Sequence, residues 1–107
     1  MSTFVLRLNH PPDQCPSASS KVRERVQSVG PEIPQIAGKA GVKIVVGPLI
    51  LASEHESVVV VEADRVEAVD EFVTQTGLAQ WNSVRVSRAQ PLSELLADLP
   101  SMPPPLY

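Results

Sequence analysis

The sequence is poor in residues that several common classes of protein require. Among its 107 residues is a single cysteine, so no disulfide can form within the chain, and we expect a reducing compartment, the cytoplasm. Aromatic residues make up only 4% of the chain, so we expect a core of aliphatic side chains. The longest apolar run, residues 44–52, contains Gly47 and Pro48 and is too short to cross a bilayer.

Positive charge is also scarce. Nine Lys and Arg residues stand against twelve Asp and Glu residues, giving a net charge of −3. Proteins that bind nucleic acid or an anionic membrane surface usually present basic clusters. We therefore expect neither nucleic acid nor a membrane among the partners. Glycine-rich phosphate loops, CxxC pairs and HExxH motifs are absent from the sequence.

Four segments have the pattern of β-strands. Residues 4–8 alternate apolar and polar side chains, which is typical of a half-buried strand. Residues 42–51 are rich in β-branched side chains, and the segment "ASEH" predicts a hairpin turn to a third strand over residues 56–62. That strand has valine at its four central positions, which is typical of a strand inside a sheet. The last predicted strand spans residues 82–87.

Helical patterns separate these strands. Apolar residues spaced by three and four over residues 22–40 predict an amphipathic helix that breaks near Gly30 and ends at Gly41. The segment "ADRVEAVDEFVTQTG" predicts a second helix with Asp64 as its N-cap. A short amphipathic helix is predicted over residues 92–99.

The order of these elements is β-α-β-β-α-β, followed by the short helix. It predicts a ferredoxin-like α+β fold, in which an antiparallel four-stranded sheet of order 4-1-3-2 carries its helices on one face. We expect residues 1–99 to form this single domain and the proline-rich residues 100–107 to form a flexible tail. The other face of the sheet would expose valines, which a second copy of the chain would cover, so we expect a homodimer.

In its element order and in several segments, the chain resembles the dimeric α/β-barrel superfamily, which includes muconolactone isomerases and antibiotic-biosynthesis monooxygenases. The resemblance spans roughly residues 3 to 98. It lies in the element order and in the segments "GVKIVVGPLI", "ESVVVVEADRVEAVDEFV" and "WNSVRVSRAQPLSELL". It implies a pair of ferredoxin-like domains that close into a barrel, and it assigns no catalytic residue.

Strand directions in this fold bring chemically reactive residues together. His10 follows the first strand, and His55 precedes the third, its antiparallel neighbour. Trp81 and Asn82 precede the fourth strand, which flanks the first strand on the other side. The proline-rich loop that carries Cys15 leaves from the same end. We therefore expect these five residues to share one rim of the sheet.

Imidazole, thiolate and carboxylate groups are the ligands that zinc, iron and copper use in proteins. The predicted metal ligands are His10, Cys15, His55 and Glu54, with Glu56 as an alternative to Glu54. Trp81 and Asn82 are predicted to line the wall of the pocket, where a small organic ligand would bind. Some members of the superfamily, the sulfur oxygenase reductases, are similar in combining a mononuclear iron with a reactive cysteine.

Two other functions are consistent with the same residues. His10, Cys15 and His55 would also suit acid–base or nucleophilic catalysis without a cofactor, as in an isomerase or a monooxygenase-type enzyme. Alternatively, each residue has a structural role, and the chain is a dimerisation module without a ligand.

Overall fold

An antiparallel four-stranded sheet forms the centre of the computed structural model, which describes residues 1–106. The strands are β1 (Ser2–Asn9), β2 (Lys43–Leu51), β3 (Glu56–Ala63) and β4 (Ser83–Ala89). The helices are α1 (Ser20–Val29), α2 (Ile33–Ala40), α3 (Val66–Thr76) and α4 (Leu92–Asp98). Neighbouring strands follow the order β2-β3-β1-β4. The predicted α+β class and the antiparallel four-stranded sheet are confirmed.

The core lies on one face of the sheet because side chains alternate along each strand. Phe4, Leu6 and Leu8 of β1 are 6%, 0% and 2% exposed. Leu6 pairs with Val59 of β3, and Phe4 pairs with Val61. Helix α3 contributes the buried residues Val69, Phe72 and Val73 to the same cluster. Burial of each large aliphatic or aromatic side chain contributes about 1.5–3 kcal/mol, so this layer dominates the stability of the fold.

The first helical region is divided as the sequence predicts. Ser19 caps α1 by accepting a hydrogen bond from the backbone N–H of Val22 at 3.2 Å. A 3₁₀ turn over Gly30–Glu32 separates α1 from α2. Gly41 ends α2 in the left-handed conformation, with φ of 81°, which glycine adopts without the steric cost of a Cβ atom.

The predicted N-cap of α3 is wrong. Arg65, not Asp64, occupies the N-cap position, and no side chain caps the helix. Arg65 has extended backbone angles (φ −156°, ψ 155°), so the helix begins one residue later than the capping-box pattern requires. Glu67 still lies in the first turn, where its negative charge interacts favourably with the helix dipole.

The other face of the sheet carries an apolar cluster, here called the open face, formed by Val5, Val46, Leu49, Val58 and Val60. Strand register puts these residues on the face opposite to Leu6 and Val59. Val46 and Leu49 are 45% and 52% exposed. The residues described here therefore leave apolar side chains of the sheet in contact with solvent.

The C-terminal region follows β4. After α4, a 3₁₀ turn spans Leu99–Ser101, and residues 103–106 have no regular secondary structure. The last residue of the predicted tail, Tyr107, lies outside the described residues. The division into a domain of residues 1–99 and a tail of residues 100–107 stays a prediction. Among residues 1–106, no helix combines the length and the apolar character needed to cross a membrane.

Candidate metal centre

The register of β1 brings the two histidines together. Asn9, the last residue of β1, pairs with Glu56, the first residue of β3. The residues just beyond this pair, His10 and His55, are joined by a hydrogen bond of 3.0 Å from the backbone N–H of His10 to the carbonyl oxygen of His55. Their rings meet edge to face, with centroids 5.6 Å apart. The predicted proximity of the two histidines is therefore confirmed.

His55 has a backbone conformation that is uncommon for a residue with a side chain. It follows the 3₁₀ turn Ala52–Glu54 and has φ of 52° and ψ of 44°, in the left-handed region. This conformation costs an ordinary L-residue about 1–2 kcal/mol relative to the right-handed one. The Nδ1 atom of His55 is buried and has no hydrogen-bond partner among the described residues.

Asn82 holds the ring of His10 from the start of β4. The side-chain amide N–H of Asn82 donates to the carbonyl oxygen of Leu78 at 3.0 Å. This bond leaves the amide oxygen of Asn82 to accept from Nδ1 of His10 at 3.1 Å. In the neutral ring the proton then lies on Nδ1, and Nε2 carries a lone pair. Nε2 is also buried and has no partner among residues 1–106.

Cys15 reaches the histidines from the proline-rich loop. A 3₁₀ turn over Pro12–Gln14 precedes it, and its carbonyl oxygen accepts from the backbone N–H of Ser19 at 2.8 Å. The hydroxyl of Ser17 donates a hydrogen bond to Sγ of Cys15 at 3.0 Å. Hydrogen bonds from the side chain and backbone of Ser17, with smaller contributions from the two histidines, lower the pKa of Cys15 to about 6. The thiolate is therefore the main form at neutral pH.

Three of the four predicted metal ligands form one group. One ligand atom each from His10, Cys15 and His55 lies within 4.8 Å of the others. Glu54 is not part of this group, and its carboxylate accepts a hydrogen bond of 2.6 Å from the hydroxyl of Ser53. The alternative ligand, Glu56, accepts from Nε of Arg7 at 3.0 Å. The role of the three grouped residues as ligands stays a prediction.

A cavity of about 410 Å³ adjoins this group. It lies on the helix-covered side of the sheet, since Leu8 and Val59 from the core face line it. Its other apolar walls come from α1, the start of α2, α3 and the segment before β4, and they include Val26, Val29, Ile33, Phe72 and Leu78. Trp81 and Asn82, the predicted wall residues, also line it.

Several residues of this site were not among those predicted. Ser17 was missed because a hydroxyl two positions after a cysteine has no fixed role. Val26 and Val29 read as ordinary core positions of an amphipathic helix, yet they line the cavity. The only sequence feature that could have assigned them to the site is their position on the helix that follows the loop of Cys15.

No protein-family model and no curated protein matches this chain. The resemblance to the dimeric α/β-barrel superfamily therefore depends on element order and on the segments quoted above.

Proposed function

We propose that the chain binds a transition-metal ion through Nε2 of His10, Sγ of Cys15 and Nδ1 of His55. The observation that carries this proposal is the pair of buried imidazole nitrogens without partners, which lie beside a thiol that is largely ionised at neutral pH. Leaving a buried polar atom unpaired costs about 1–3 kcal/mol. A metal ion would satisfy both nitrogens at once. Two imidazoles and a thiolate suit zinc, iron or copper.

The spacing of the ligand atoms supports this assignment. Three atoms within 4.8 Å of one another have a common point no more than about 2.8 Å from each, and zinc bonds to nitrogen or sulfur are about 2.0–2.3 Å long. Side-chain adjustments of about 0.5–0.8 Å would therefore complete the site. The hydrogen bond from His10 to Asn82 is the kind of outer contact that orients a metal-bound histidine.

Three protein ligands leave a coordination position free. Sites of this kind hold water or substrate in the remaining position, whereas structural zinc sites use four protein ligands. The adjoining cavity would admit a compact organic ligand to that position. An ion held there would lower the pKa of bound water or polarise a carbonyl oxygen.

The test is a metal titration of the purified protein after treatment with a chelator. We expect one Zn²⁺ or Co²⁺ per chain, and absorption from cobalt–thiolate charge transfer in the near ultraviolet. Cys15→Ser should abolish that absorption, and His10→Ala or His55→Ala should weaken binding by roughly tenfold or more. Glu54→Gln is the matched control and should leave affinity unchanged, because Glu54 lies outside the group. Equal affinity in all variants would refute the proposal.

A second function, nucleophilic or acid–base catalysis without a metal, is favoured by the lowered pKa of Cys15. In this proposal the thiolate removes a proton from the ligand and returns it at another carbon, as in an isomerase. In a monooxygenase-type enzyme the ligand that has lost its proton would instead be oxidised by dioxygen as co-substrate. Fast alkylation of Cys15 at neutral pH in protein that binds no metal would favour it over the metal centre. If the protein shows neither metal binding nor a reactive thiol, the remaining proposal is a dimerisation module without a ligand.

We also propose that the domain is a ferredoxin-like member of the dimeric α/β-barrel superfamily, and that the protein is a cytoplasmic homodimer. Val46 and Leu49 of the open face are exposed, and its other three valines are only half-buried, which supports pairing of two sheets. Light scattering should give the mass of two chains, and Val60→Glu on the open face should give one. Val66→Glu on α3, where Val66 is 42% exposed, should leave the dimer intact. A wild-type monomer at micromolar concentration would contradict the pairing.

A further inference from the structure

We infer that the cavity binds a compact, mainly apolar molecule that carries one hydroxyl group and no anionic group, with the hydroxyl at the His10–Cys15–His55 end. This inference deepens the proposed function, because it names the class of organic ligand for the same site. The inference that the ligand is mainly apolar depends only on the walls of the cavity, so it can be tested in metal-free protein.

The walls disfavour an anionic ligand. The lining is mainly apolar, Glu56 is its only residue with a carboxylate, and no lysine or arginine lines it. The carboxylate of Glu56 is already paired with the guanidinium of Arg7 at 3.0 Å. An anion would therefore lose its hydration without gaining a lysine or arginine partner.

The size of the cavity limits the ligand to a compact molecule. An apolar cavity of about 150 Å³ is enough to bind benzene, and this cavity measures about 410 Å³. One aromatic ring with a short substituent, or two fused rings, would fit this space. Phe72 and Trp81 offer aromatic surfaces against which such a ring would pack.

The polar end of the cavity selects a hydrogen-bond donor. Because Asn82 accepts the proton of Nδ1, the buried Nε2 atom of His10 is left as an acceptor without a partner. A hydroxyl group satisfies this acceptor in metal-free protein, and its oxygen is also a ligand for an ion bound at the same end. An ether of the same shape has no proton to donate. The hydroxyl group should therefore make an alcohol bind more tightly than an ether of the same shape.

The experiment compares three small probes on chelator-treated wild-type protein: benzyl alcohol, benzyl methyl ether and benzoate. Trp81 is the only tryptophan of the chain and lines the cavity, so its fluorescence reports binding, and amide chemical shifts provide a second reading. We expect saturable binding of benzyl alcohol, roughly three- to tenfold tighter than the ether, as one neutral hydrogen bond predicts. Benzoate should bind at least tenfold more weakly than the alcohol, since no lysine or arginine lines the cavity to replace its hydration.

Variants of the wall locate the binding. Val29→Phe should fill part of the cavity and weaken binding of benzyl alcohol at least tenfold. Val66→Phe, on an exposed part of α3 that does not line the cavity, is the matched control and should leave binding unchanged. Thermal unfolding of both variants shows whether they are folded, and the three-probe comparison on wild-type protein does not depend on them.

The outcomes separate this inference from the metal centre. Absence of saturable binding, equal binding of all three probes, or tighter binding of benzoate than of benzyl alcohol would overturn the inference. None of these results bears on the zinc and cobalt titration. Conversely, a protein that binds no metal but prefers benzyl alcohol would refute the metal centre and retain the ligand class.

Discussion

Replacement of Ser17 by alanine tests the electrostatics of the site most directly. The Ser17 hydroxyl donates to Sγ of Cys15 at 3.0 Å, and this bond is the largest contribution that lowers the pKa of Cys15 to about 6. With that pKa, about 90% of the thiol is ionised at pH 7. The variant keeps the backbone donor of residue 17 and the two histidines, so we expect the pKa to rise only part of the way from about 6 toward 9.0. The ionised share at pH 7 should then fall.

The assay is the rate of alkylation by iodoacetamide as a function of pH, measured on chelator-treated protein. The chain has one cysteine, so every alkylation event occurs at Cys15. Ser20→Ala is the matched control, because Ser20 is an exposed residue of α1 and has no hydrogen bond to the thiol. A wild-type rate that reaches half its maximum near pH 8.5, or the same midpoint in wild type and Ser17→Ala, would refute this account of the site.

Four further predictions concern stability. Because the pKa of Cys15 falls from 9.0 to about 6 on folding, the unfolded chain binds more protons between these values. Stability should therefore rise with pH across that window, and Cys15→Ser should flatten the rise in urea unfolding at pH 6 and pH 9. Gly41→Ala should destabilise the protein by about 1 kcal/mol, since φ is 81° there. Gly38→Ala, inside α2 with open space around it, should stabilise it by about 0.5–1 kcal/mol in thermal unfolding. Leu6→Ala should cost about 2–5 kcal/mol in denaturant unfolding, because Leu6 is 0% exposed; a loss below 1 kcal/mol would contradict the assigned core.

The meeting of His10, His55 and Asn82 followed from the sequence because it depends on strand direction alone. Antiparallel neighbours start where their partners end, so residues that flank paired strand ends are close in any sheet of this connectivity. The register Asn9–Glu56 and Asn9–Ser83 places the next residues beside one another. Side-chain rotamers do not change which residues are neighbours. The proximity of these three residues could therefore be predicted from the sequence.

Other features depend on distances of one or two ångströms and were inaccessible from the sequence. The N-cap of α3 moved from Asp64 to Arg65 because one residue took extended backbone angles. The bond from Ser17 to Cys15 requires a particular turn of the loop and a particular rotamer. Glu54 and Glu56 lie next to His55 in sequence, yet their carboxylates bind Ser53 and Arg7 instead of joining the group.

The sequence by itself determined the α+β class, the antiparallel sheet, the aliphatic core and the end of the sheet at which the histidines and the cysteine lie. These properties follow from the periodic pattern of apolar residues and from the direction of each strand, and neither depends on how side chains from distant segments pack. Only the tertiary structure decided that two imidazole nitrogens are buried without partners, that hydrogen bonds lower the pKa of the thiol, and that a cavity lies between the helices and the sheet. Those properties arise where side chains from distant segments pack, because exposure to solvent and hydrogen-bond geometry are set by the neighbours that folding brings into contact.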